Sequence, residues 1–499
     1  MQLERFPFAR SCFGLGALAL IVAAFGCAGG DTDPGGDGGG GGGTPQGPTP
    51  LGAVAGLGIG DVAVYQAVKR PLVVAGVAAQ SNIPIVSERD ALVRVWVNLA
   101  APPPTPLTGR LYLGDAPFVE VTAPIAATST EPDLASTLNF EVPGALLKGD
   151  VQWRVEVGTL PPSGTVPEGA PTPYPAAGTE LMPTSSAGQT LKIVVVPIQY
   201  NGDGSGRLPD TSEAQIALYK AGFEAMYPAP HTEITVHAPV PYSGQVDPFG
   251  SGWDSLLMNI AQLRQQDGAA PDVYYFGAFA PANSFGQFCN GGCVAGLGMT
   301  SQSAGDSFAR ACIGLGFTGN DAVDTALHEI GHNHGRLHAP CQTGDADPGY
   351  PYPDGSDGVW GYDKSRKLLL PPQTPDIMGY CMPTWISDYT YDALYERIRA
   401  VNAMPGAKVI GSLPKKSYER AMVDAQGNVT RMPDLELGDA PEGEARAVAF
   451  TGTHKSWTGA AHYYRWDHLP GGVLLWERQA DSYEAVAIEL EGATKVLPR

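Results

Sequence analysis

The chain has 499 residues, more than one ordinary hydrophobic core can organise, so two to four domains are expected. A net charge of −20 leaves few basic clusters to neutralise phosphate and excludes nucleic acid as a partner, while charged residues at only 16% describe a mildly polar, acidic surface. With 64 glycines and 45 prolines the chain turns often and holds few long helices, a composition that favours β structure.

Residues 1–27 read as an export signal. Arg5 and Arg10 form a positive start, and Phe13 to Phe25 is an apolar run too short for a membrane span. It ends in Ala24-Phe25-Gly26-Cys27, similar to the lipobox of bacterial lipoproteins, with Cys27 as the lipidated residue. Ala24 and Phe25 depart from the preferred residues there, and simple cleavage with secretion is the alternative. Either way the protein is exported from a bacterial cell, and a lipid on Cys27 is its one expected membrane contact. Residues 28–50, rich in Gly, Asp, Pro and Thr, form a tether.

Residues 51–160 predict a β-sandwich: Val93, Val95 and Val97 alternate with Arg94, Trp96 and Asn98, and Val151, Trp153, Val155 and Val157 repeat the two-residue period. The Pro-, Gly- and Ser-rich stretch 161–189 reads as a linker. Residues 190–404 alternate strands (191–198, 233–237, 273–276) with helical spacing (213–226, 254–263, 321–334, 391–403), the pattern of an α/β layer on a largely parallel sheet. Residues 405–499 return to short strands and predict a small β-domain. The expected architecture is an α/β (α+β) catalytic domain flanked by all-β domains.

Within the helix at 321–334, with Asn320 or Asp321 as its N-cap, lies His328-Glu329-Ile330-Gly331-His332, followed by Gly335 and His338. Residues four apart share a helix face, so His328 and His332 can offer imidazoles to one ion, and Glu329 is placed to deprotonate a metal-held water. A continuing helix would carry position 338 away; Gly335 tolerates positive φ and lets the chain swing His338 back as a third ligand. Three protein ligands leave a tetrahedral Zn2+ one open position, the catalytic arrangement. His334 projects from another face and is expected at the surface or in support of the ligands.

Excluding Cys12 and Cys27, the five remaining cysteines (Cys289, Cys293, Cys312, Cys341, Cys381) cluster around this motif, and export favours disulfides with one thiol left over. Cys341 with Cys381 is the preferred pair; Cys289 with Cys293, or one of them with Cys312, is the second. Residues 28–288 contain no cysteine, so a propeptide thiolate on the metal is not expected. The acidic loop Asp345, Asp347, Asp354, Asp357 and Asp363 has oxygen ligands suited to Ca2+, but its spacing is not that of an EF-hand and a solvated loop is the favoured reading.

The extended histidine motif, together with Asp376-Ile377-Met378-Gly379-Tyr380, resembles the metzincin clan of zinc endopeptidases over roughly 190–404. The resemblance implies that Met378 forms a hydrophobic floor under the histidines. It also implies that Tyr380, as in astacin-like and serralysin-like branches, ligates zinc or stabilises the oxyanion. Gly292 to Gly298 looks like the strand lining the metzincin cleft, with Val294, Ala295, Gly296 and Leu297 pairing an extended substrate. Ala339, after the third histidine, matches none of the familiar branch residues. The layout is similar to mucin-degrading StcE-like metzincins, which implies extracellular polypeptide or glycoprotein substrates; the protein is expected to be a monomer. The rival readings are a surface-anchored binding protein with a vestigial zinc domain, and a hydrolase of non-peptide amides.

Overall fold

The computed structural model describes residues 48–163, 165–185, 190–301, 303–404, 415–438, 440–490 and 492–499. The export signal, Cys27 and nearly all of the tether lie outside the described residues.

The valine alternation builds a two-layer sandwich. Its first sheet runs Leu368–Leu370, Gly361–Asp363, Leu57–Val74, Ala91–Leu99, Leu138–Val142, and its second runs Val119–Ala123, Leu107–Leu113, Val151–Gly158, Thr172–Tyr174. Val93, Val95, Phe140, Leu111, Trp153 and Val155 are fully buried between them. Residues 161–189, expected as a linker, instead carry Thr172–Tyr174 and Glu180–Met182, both paired to Val151–Gly158. The sandwich also borrows two strands from 361–370, far along the chain. Arg94 and Trp96, which alternate with the core valines, are buried too: the Arg94 guanidinium donates to the Glu131 and Asp133 carbonyls and to Tyr65 Oη.

The second layer is a mixed sheet ordered His231–Val236, Thr190–Tyr200, Val273–Phe279, Ala311–Leu315, Gly296–Gly298, parallel except for the last strand at its edge. Helix α1 (Glu213–Met226) is capped by the Ser212 side chain and buries Tyr219, Phe223 and Met226. Its last carbonyls, left without helical partners, receive the buried Arg89 guanidinium of the sandwich, which donates to Glu224, Ala225, Tyr227 and Ala229. Helix α2 (Trp253–Gln266), a single helical turn α3 (Phe285–Phe288), helix α4 (Asn320–Asn333) and helix α5 (Asp388–Ala403) complete this layer. The end of the chain is one seven-stranded antiparallel sheet from Lys416 to Pro498. It is not an independent module, because Tyr464, Trp466, Val473 and Leu475 share a core with Trp253, Leu256 and Ile260 of α2. No helix among the described residues is long and apolar enough to cross a membrane.

Candidate metal centre

Helix α4 is almost wholly buried from Ala322 onward, against the edge strand and α1. Its N-cap is Gly319 rather than Asn320 or Asp321. The Gln215 side chain accepts from the Gly319 N–H at 2.8 Å, so a neighbouring helix does a capping residue's work. At the other end Gly335 takes φ +82°, its N–H meets the His332 carbonyl at 2.8 Å, and Arg336 N–H meets the Gly331 carbonyl at 3.1 Å. Those two bonds form a Schellman cap, which turns the chain so that His338 faces the helix it has just left.

The three imidazoles converge, and their back nitrogens say how. His328 Nδ1 lies 2.7 Å from the Ile377 carbonyl, His332 Nδ1 2.7 Å from the Arg336 carbonyl, and His338 Nδ1 2.9 Å from Asp345 Oδ1. Each partner only accepts, so each Nδ1 carries the proton and each Nε2 presents a lone pair. Yet His328 Nε2 and His332 Nε2 are 3.0 Å apart. Burial, first, and then the neighbouring imidazoles hold His328 well below the usual range; burial likewise takes His332 down to about 3 and lowers His338. Neutral rings with facing lone pairs are a donor set that a cation completes, and supported Nδ1–H groups of this kind orient metal-ligating histidines generally.

Glu329 is 1% exposed, with Oε2 lacking a hydrogen-bond partner. It lies beneath Gly296: a Cβ there would come 2.2 Å from Glu329 Oε1, so that position leaves room for the carboxylate and for little else. Burial, then the adjacent Asp467 carboxylate, push the Glu329 carboxyl well above the usual range. Burial would raise Asp467 as well, but the His468 and His332 imidazoles outweigh it and hold Asp467 well below.

Met378, 1% exposed, packs against α4 where Gly331 has no side chain; a Cβ on Gly331 would approach its Sδ to 2.5 Å. Asp376 shapes this turn by accepting from the Met378 and Ser387 N–H groups. The Met378 carbonyl in turn accepts from Ala339 N–H at 3.0 Å. Ala339, the residue at odds with the familiar branches, is fully buried there. Tyr380 is 41% exposed, with Oη 3.0 Å from His338 Nε2, on the face where the lone pairs converge. Cys341 and Cys381 are disulfide-bonded, as are Cys289 and Cys293, and Cys312 is a buried free thiol.

The expected cleft strand is present but shorter, Gly296–Gly298, and its free edge is partly taken. Val294 N–H donates to the Pro248 carbonyl and Gly298 N–H donates to Asp467, while the Ala295 carbonyl accepts from Leu315 N–H on the side paired with Ala311–Leu315. Leu297 is fully buried; Val294, Ala295 and Gly296 line a cavity of about 890 Å³ with His328, Glu329 and Tyr380.

His334 departs from its expectation of a surface or supporting place. It is buried, with its ring stacked 4.4 Å from Tyr274, and supports the core rather than a ligand. The acidic loop also differs from a solvated one. Asp345 orients His338, Asp347 accepts from Arg336 and Tyr389, Asp363 pairs with Arg366, and Asp357 is fully buried with neither carboxylate oxygen partnered. Among the described residues, the convergent groups of metal-ligating side chains lie at the histidine centre and none lies in this loop. Sequence reasoning missed Asp345 as orienter, and missed Asp467 and His468 altogether. The one trace of the latter was an Asp-His pair between two expected strands.

A family model for Peptidase M66 matches residues 251–398, a span holding the histidine motif, the Met378 turn and the cleft strand. No curated protein matches the chain. The match supports a metal-dependent peptidase. It covers under a third of the chain and stops before Asp467 and His468.

Proposed function

We propose that the protein is an exported, zinc-dependent endopeptidase of the metzincin type, acting on extracellular proteins or glycoproteins as a monomer. The observation that carries this is the set of three Nδ1-anchored histidines whose Nε2 lone pairs converge beside the buried Glu329 and an 890 Å³ cleft. His328, His332 and His338 would hold the ion. Zinc, when bound, lowers the pKa of water and polarises the scissile carbonyl. Glu329 accepts the proton of the attacking water and returns it to the departing amine. Tyr380 donates its hydroxyl to the oxyanion, and its exposure leaves it free to swing. Val294 to Leu297 align the substrate backbone. The Cys27 lipid or plain secretion sets where the enzyme works.

Glu329→Ala should keep metal content and lose cleavage by about 10²- to 10⁴-fold, the usual contribution of a positioned base. Mass spectrometry of peptides released from a mixed proteome or a mucin, with and without chelator, reads activity, metal dependence and specificity together. A variant that digests as the parent does would refute the mechanism. Retention of Glu329 favours this reading over a vestigial domain, which has no use for a base.

A further inference from the structure

One hairpin of the C-terminal sheet reaches the histidine centre. Its strands, Ser456–Arg465 and Gly472–Glu477, are antiparallel partners, and the tip between them lies beside α4. Trp466 bridges Met299 just beyond the cleft strand. The Asp467 carboxylate accepts from Gly298 N–H at 2.9 and 3.0 Å, an edge donor that a peptide adding as a strand would otherwise take. Tip and cleft are in close contact: Trp466 is 5% exposed, Tyr464 Oη donates to Asp306 at 2.9 Å, and the Leu469 side chain rests against Gly250.

The tip carries His468. Its ring centre lies 5.2, 5.5 and 4.9 Å from those of His328, His332 and His338, and one nitrogen from each of the four rings falls within 4.8 Å of the others. His468 Nδ1 is shut off from solvent and makes no hydrogen bond, although Asp467 Oδ1 lies 3.0 Å away. A buried imidazole nitrogen left unpaired is costly unless something else occupies it.

We propose that His468 is a fourth protein ligand of the metal, delivered by a hairpin tip that sits in the cleft in place of substrate. Four imidazoles satisfy a tetrahedral zinc, which is a closed rather than an open centre. The tip also divides the cleft. The 890 Å³ cavity with Glu329 and Tyr380 lies on one side, and one of about 450 Å³ with His332, His338 and Asp345 lies on the other. An extended polypeptide crosses between them only when the tip withdraws. The assignment rests on the peptidase reading, and the resting form it describes is closed.

Cobalt titration of the full chain tests it through the metal itself. The parent should bind Co2+ with a visible spectrum that azide leaves unchanged, because no ligand position is open. His468→Ala should bind Co2+ more weakly, by more than the roughly 10- to 100-fold expected for residues that only support a ligand, and azide should shift its spectrum. His468→Gln, which keeps the volume, repeats the measurement, and near-ultraviolet circular dichroism checks that either variant is folded. An azide-responsive parent, or variants with unchanged affinity and spectrum, would overturn the assignment while leaving the three-histidine centre standing. A parent that binds no cobalt would sink the peptidase reading and this one with it.

Discussion

Gly296 offers a test of the proposed role of Glu329 that leaves the three histidines untouched. Its φ is not in the left-handed region, so alanine suits the backbone, and the cost of Gly296→Ala falls on what the new methyl meets. The Cβ would come 2.2 Å from Glu329 Oε1, 2.5 Å from Cδ and 2.6 Å from Cγ. Carbon and oxygen do not approach below about 3 Å without overlap, so the carboxylate has to retreat by on the order of 1 Å. It is 1% exposed where it stands, so any retreat takes it off that position. A displacement of that size from the productive geometry costs about 10²-fold in rate, near 2.7 kcal/mol of barrier. The histidines keep their Nδ1 anchors at Ile377, Arg336 and Asp345, so metal content should not change. Gly298→Ala is the internal control, since its Cβ meets Asp467 at 3.1 Å and Glu329 Oε2 at 3.3 Å and asks for shifts of only a few tenths of an ångström. The assay is initial rate on a protein substrate against metal content by elemental mass spectrometry. Full activity in Gly296→Ala at full metal loading would refute the placement of Glu329 under the strand.

Three further outcomes follow from particular contacts. Asp345→Ala removes the acceptor that fixes His338 and should weaken metal binding by about 10- to 100-fold in chelator competition; unchanged affinity would show that the loop does not orient the ring. Replacing both Cys341 and Cys381 by serine opens a loop spanning a separation of 40 residues. Loop-closure entropy puts that at about 4 kcal/mol of stability, read as a lower denaturant midpoint under non-reducing conditions, and a midpoint matching the parent would refute it. Asp357, buried and unpartnered, has its carboxyl pushed up to about 10 by burial and then by Asp376 and Asp388. Such an acid binds its proton more tightly folded than unfolded, so its contribution to stability is fullest below pH 4 and declines as pH rises. The decline is at most about 1.4 kcal/mol per pH unit, or near 4 kcal/mol between pH 5 and 8. Asp357→Asn should flatten that slope in urea unfolding, and equal slopes in variant and parent would sink the idea.

What could be read from the chain alone was local. Helix α1 falls on Glu213–Met226 as its spacing predicts, because Tyr219, Phe223 and Met226 share a face and Ser212 supplies the cap. His328, Glu329, His332 and Gly335 lie within eight residues on a helix and its cap, so their relation is set by helical geometry. The linker reading of 161–189 failed for the opposite reason. Proline and glycine mark turns, but Thr172–Tyr174 and Glu180–Met182 are strands only because Val151–Gly158 offers them a partner. Arg94 stands on the face its period gives it, and the Glu131 carbonyl of the segment that covers that face is 37 positions away.

The centre itself divides along the same line, and the division has chemical content. A histidine four residues from another is tied to it by the helix, and substitutions elsewhere move the pair together or not at all. His468 lies 130 positions along the chain from His338; the packing of the C-terminal sheet on α2 and the contacts of its hairpin tip with the cleft strand bring it within reach. Contacts of that kind can open without unfolding the helix that carries His328 and His332, because they sit at a hairpin tip and not inside an element. The three ligands a sequence motif announces are therefore those that should stay on the metal through a catalytic cycle. The fourth, placed by tertiary packing alone, is the one the fold is able to take away.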